Sequence, residues 1–231
     1  MTDNTLVSLY VLIPVAASLL GGILASLIRT PHKLLSMVQY LLAGVLLAVI
    51  STEFTPKLIG LHKEKEVLIG GVIGLVSFVL IYWIINKGKH LRIKTFPIGN
   101  LLGSLTTLFL DGTLIGIAFV ADMKSGLFVA EALAVCIFLT SYRLAEKISG
   151  NIIKTIITLL LTAMLPLGVY LGYDILKLIG TKYYYEVLAF GTIGLLYLSF
   201  EKLLSDAETE KTTISIPLLF LGFILILIVQ G

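Results

Sequence analysis

From Val67 to Asn86 the chain runs for twenty residues without one charged side chain. A hydrocarbon core of about 30 Å is crossed by roughly 20 apolar helical residues, so this run reads as a membrane-spanning helix. It is not an isolated case. Hydrophobic residues make up 58% of the 231 positions and charged residues 13%, against about 45–50% and about 25% in ordinary soluble domains. A soluble protein of this size needs far more polar surface, which speaks against a cytosolic enzyme. Charge and turn residues cut the chain into eight such stretches, residues 6–28, 34–59, 67–86, 99–121, 125–144, 155–176, 186–204 and 214–230. The expected fold is an all-α polytopic membrane protein with one transmembrane domain over residues 1–231. The start, Met-Thr-Asp-Asn-Thr, lacks the basic segment of a cleavable signal, so the first stretch is expected to stay as an anchor.

An even number of spans puts both termini on one side, and the basic residues choose the side. With the termini outside, the inner connections hold eleven Lys and Arg, among them Arg29, Lys33, Arg143, Lys147 and the cluster Lys87, Lys89, Arg92 and Lys94. The outer side holds six: Lys57, Lys63, Lys65, Lys124, Lys177 and Lys182. The bias favours outward termini. The net charge of +3 is scattered over short loops, which gives no nucleic-acid footprint. The one cysteine, Cys136, leaves no internal disulfide and no cysteine-cluster metal site.

Ionisable groups inside spans are costly and normally face the bundle or a wet cavity. Asp111 lies near the middle of span four, followed by Gly112 and, at i+5, Gly116, small residues that permit close helix approach. Thr107, at i−4, falls on the same helical face. A carboxylate and a hydroxyl on one face suit a hard cation or a proton relay. Glu53 sits near the outer end of span two, and Glu201 near the inner end of span seven. Aligning Ala43 with Gly191 matches Ser51 to Ser199 and Glu53 to Glu201, in segments that run in opposite directions as inverted repeats require. Glu131, Asp174 and Glu186 are read as span-end groups that snorkel or cap. Glu146 falls close to the inner surface beside Arg143 and Lys147. Pro166 is expected to kink span six and free backbone carbonyls. His32, His62 and His90 all lie in connections, and neither a phosphate-binding glycine loop nor a nucleophile triad is present.

These short patterns, in this order, resemble the ZIP (Zrt/Irt-like) family of divalent metal transporters. Span two, from Ala43 through Glu53 to Pro56, is similar to that family's second helix. Asp111-Gly-Thr-Leu-Ile-Gly-Ile-Ala-Phe119 is similar to the end of its metal-binding fourth helix. Pro166-Leu-Gly-Val-Tyr-Leu-Gly172, and Gly194 through Tyr197 to Glu201, resemble its sixth and seventh. The resemblance implies eight helices, an inverted repeat relating spans 1–3 to 6–8, and alternating-access transport of a divalent metal. The family's fourth-helix pattern, His-Asn-x-Pro-Glu/Asp-Gly, stands here as Thr107-Leu-Phe-Leu-Asp111-Gly112, so only the carboxylate and glycine remain. For the fifth helix, Tyr142-Arg-Leu-Ala-Glu146 keeps a carboxylate near the inner surface, whereas alignment by depth places Thr140 and Ser141 there. Leu165 replaces the glutamate before the span-six proline.

The implied metal set is therefore Asp111 as central ligand, Thr107 as auxiliary and Glu53 as entrance carboxylate, with Glu201 and Glu146 as further candidates. An oxygen-only set suits harder cations and disfavours tight zinc binding. The expected substrate is a divalent cation, Zn, Fe, Mn, Cd or another, with no resident cofactor and no enzymatic activity. Two alternatives stay open: a non-transporting structural or regulatory relative, and a proton-coupled transporter of another small solute. The bilayer is the expected partner, a homodimer is left open, and the compact loops point to a prokaryotic inner membrane.

Overall fold

Punctuation by proline, glycine and capping residues sets where the apolar stretches begin and end as helices. The computed structural model describes residues 3–28, 30–59, 63–88, 98–148, 150–179, 183–204 and 214–230. Eight helices run through them. These are α1 (Asp3–Leu27), α2 (His32–Val49, continued by a π-helical segment Ile50–Phe54 and a last turn Thr55–Leu58) and α3 (Glu64–Gly88). There follow α4 (Ile98–Ala121), α5 (Met123–Glu146), α6 (Asn151–Ile179), α7 (Tyr184–Tyr197, continued by a π-helical segment Leu198–Leu204) and α8 (Ser215–Gln230). Each coincides with an expected span to within four residues at either end. Pro31 precedes the first residue of α2, Asp122 caps α5 through its side chain, and Gly150 takes a left-handed φ of 98° before α6. That backbone angle is open to glycine and strained for other residues. Most of the basic cluster of the third connection, including Lys89, Arg92 and Lys94, lies outside the described residues, as do His62 and His90.

Among the described residues six helices are long and apolar enough to cross a membrane, and Ser215–Ile228 is a shorter apolar helix. This is a multi-pass membrane protein. Large aliphatic side chains on α3 and α6 are exposed in long rows, such as Val72, Ile73, Val76 and Leu80, as lipid-facing surfaces require.

The principal packing pairs are α1 on α5, α4 on α6, α2 on α8 and α3 on α7. Small residues set the distance in these pairs. Gly112 and Gly116 of α4 face Gly168 and Gly172 of α6, and a methyl group on any of the four would land on a backbone carbonyl oxygen of the facing helix. Gly44 of α2 and Gly222 of α8 meet the partner backbone in the same way. Without water to drive association, such van der Waals contact is what holds helices together in a bilayer. Between α3 and α7, Gly70 lies against the Glu186 backbone, and an aromatic contact is added: Phe78 packs against Phe190 and Tyr197, with ring centroids 5.4 and 6.0 Å apart. α6 continues as helix through Pro166, and α1 does so through Pro14.

Candidate functional site

Asp111 occupies the middle of α4 and is completely buried, at 0% exposure. The next residue, Gly112, lies against the α6 backbone at Leu165 and Val169, so the carboxylate is carried beside a close crossing of α4 and α6. Leu165 and Val169 are themselves fully buried and apolar. One turn before Asp111, Thr107 donates its hydroxyl proton to the Gly103 carbonyl at 2.8 Å, which leaves its oxygen lone pairs as the group it can offer. Thr106 and Thr113 donate to α4 carbonyls in the same i−4 pattern.

Glu53 is placed elsewhere, in the π-helical segment of α2. Its carboxylate, 12% exposed, accepts a hydrogen bond of 2.8 Å from Ser125 of α5. Lys57, one turn on, lies 4.0 Å from Glu53 and 3.6 Å from Asp122, and its ammonium also donates to the Ser125 hydroxyl. Asp122 in turn accepts from the Ser125 backbone N–H at 3.2 Å. Burial works to raise the Asp122 pKa, but the Ser125 N–H and the Lys57 charge outweigh it and hold the carboxyl below its ordinary 3.8. Both carboxylates thus lie within 4.0 Å of the one Lys57 ammonium. On α7, Tyr184 donates to the Ala121 carbonyl at 3.2 Å, bringing the start of that helix to the same end of the bundle.

The remaining candidates are dispersed. Glu146 is the last residue of α5 and is half-buried. Its neighbour Arg143 donates to Gln39 of α2 at 2.8 Å, tying the two helices at that end. The backbone of Glu201 belongs to the π-helical segment of α7, while its side chain lies outside the described residues. Among the described residues no group of three or more His, Cys, Asp or Glu side chains gathers to hold a metal.

A polar feature with no counterpart in the sequence reading lies between α1, α5 and α6. Ser18 is 2.9 Å from both Ser141 and Thr162, and Thr162 donates to the Thr158 carbonyl at 2.8 Å. Each hydroxyl has one proton, so the order is fixed: Ser141 donates to Ser18, Ser18 to Thr162, and Thr162 to the backbone. Ser141, one of the two hydroxyls aligned by depth with the fifth-helix motif, thus spends its proton on helix association. Glu131, read from sequence as a span-end group, is exposed eight residues into α5.

No family model and no curated protein matches this chain.

Proposed function

We propose that the protein is a ZIP-like transporter that moves a divalent cation by alternating access, with Asp111 as the central ligand. The observation that carries this reading is the wholly buried Asp111 carboxylate at the middle of a membrane helix. Such a group is expensive to insert and is kept where it serves an ion or proton path. Thr107 would add a hydroxyl oxygen, and Glu53 and Asp122 would draw cations to the outer end. This donor set is all oxygen and favours hard cations over zinc.

An inverted repeat is part of the proposal, and two features support it. Exchanging helices 1, 2 and 3 with 6, 7 and 8, and 4 with 5, turns the α1–α5 pair into α6–α4, and the α2–α8 pair into α7–α3. Both α2 and α7 also turn π-helical over the matched Ser-x-Glu positions, Ser51 to Glu53 and Ser199 to Glu201. Eight spans with both termini outside complete the proposed topology. A prokaryotic inner membrane is the proposed location.

One observation favours a second reading, a non-transporting relative with a structural or regulatory role. Lys57 supplies a cation of the chain's own to Glu53 and Asp122. Flux in proteoliposomes with Zn, Cd, Mn, Fe, Mg and Co separates the two. Saturable flux of at least one ion supports transport. No flux for any of them, with a stable complex to another membrane protein, supports the second reading.

A further inference from the structure

The last turn of α2 is held differently from the rest of its helix. Leu46, Val49 and Ile50 are buried to within a few per cent, and Phe54 to 1%. Past Phe54, the turn Thr55–Leu58 buries no side chain fully, and Leu58 packs half-buried against the core. It is joined to the core by the π-helical segment, where the regular i−4 ladder is interrupted. Three hydroxyls take up carbonyls around that interruption: Ser51 donates to Leu47, Thr52 to Ala48, and Thr55 to Ile50, at 2.8, 2.9 and 3.0 Å. The turn therefore has a polar-lubricated joint behind it, and its apolar contact with the core is the partly buried Leu58. Its polar tie across to α5 is Lys57, through Ser125 and Asp122.

The geometry points to a latch. Lys57, bridging Glu53 to Ser125 and Asp122, fastens the end of α2 to the α4–α5 junction, and the π-helical segment is the hinge on which that end swings when the bridge opens. Resting on the transport reading, the latch is the outer gate: an arriving cation competes with the ammonium for Glu53 and Asp122, frees Lys57, and so couples its own arrival to opening. The charged and titratable groups around the bridge are Glu53 and Lys57 from α2, Asp122 and Lys124 from the α4–α5 junction, and Tyr184 from α7.

Hydrogen–deuterium exchange on the full chain in nanodiscs tests the latch without any need for transport. Lys57→Met removes the bridging charge. Asp122→Asn removes one partner while keeping a good helix cap. Both variants are expected to raise exchange over residues 50–59 about threefold, the size of a partly exposed ion-pair contribution, with the helix cores unchanged. Lys57→Arg is expected to restore slow exchange. Unchanged exchange at 50–59 in both variants overturns the latch. So does a uniform increase along the whole chain, which marks general destabilisation. Cation flux is read separately: local loosening without flux of any ion leaves the latch standing and removes the transport reading.

Discussion

Replacing Ser18 by alanine removes the middle of the three-hydroxyl chain between α1, α5 and α6. Ser18 and Ser141 are at 0% exposure and Thr162 at 7%, so no water is at hand to repair the loss. Two hydrogen bonds of 2.9 Å disappear. Interhelical hydrogen bonds in bilayers average about 0.6 kcal/mol, with a ceiling near 1.7. The expected loss is therefore about 1 kcal/mol, rising toward 2 if Ser141 finds no new acceptor. Its own i−4 carbonyl, at Ile137, offers a partial remedy of the kind Thr140 already uses with Cys136. Ser141→Ala removes only one bond, because Ser18 still donates to Thr162, and should cost about half as much. The Ser18→Ala and Ser141→Ala changes combined should cost little more than Ser18→Ala alone, because they share a bond. Reversible unfolding in mixed micelles, followed by circular dichroism or steric trapping, measures all three. Ser18→Ala as stable as the parent, or Ser141→Ala the costlier of the two, refutes a hydroxyl chain with Ser18 at its middle.

The glycine seam makes a sharper demand: Gly168→Leu, which drives a side chain onto the Phe109 carbonyl of α4, should cost about 3 kcal/mol or more and lower the folded yield. Gly71→Ala is the control, since its methyl group meets only the Ile193 side chain at 3.7 Å, and its melting temperature should stay near the parent's. Asp122 predicts a pH dependence. Its pKa is lowered in the folded protein, so its contribution is present above the unfolded carboxylate value and is lost as pH falls through the depressed folded one. A melting-temperature profile of the parent should therefore fall in acid below about pH 4. Asp122→Asn should lack that component, and an identical acid profile for the two proteins would count against the assignment.

The helices were legible because a bilayer leaves so few solutions for an apolar run. Twenty uncharged residues from Val67 to Asn86, followed by Lys87, can hardly be anything but a helix that stops nearby. The π-helical segments were not legible, since they concern which carbonyl each N–H meets. The run Ser51-Thr-Glu-Phe-Thr55-Pro56 is their only local sign, through hydroxyls able to serve displaced carbonyls. Asp111 was readable as a buried group from its depth and its glycine neighbours. Glu53 was readable as an outer-end carboxylate, but not its partners. Asp122 sits in a one-residue connection, and only the fold brings it to Lys57. Ser141 and Thr162 lie 123 and 144 residues after Ser18, each in a different helix, a spacing that leaves no pattern to find.

The central claim is that the buried Asp111 carboxylate binds the transported cation. Asp111→Asn keeps the side chain's shape and removes its charge, and no longer requires a charge to be held out of water. Cation binding and flux in proteoliposomes, measured beside the melting temperature at matched expression and pH, give the most direct test. Binding and flux are expected to be lost while the empty protein is as stable as the parent or more so. Unchanged binding and flux with a lowered melting temperature would contradict it, and would make Asp111 a structural carboxylate.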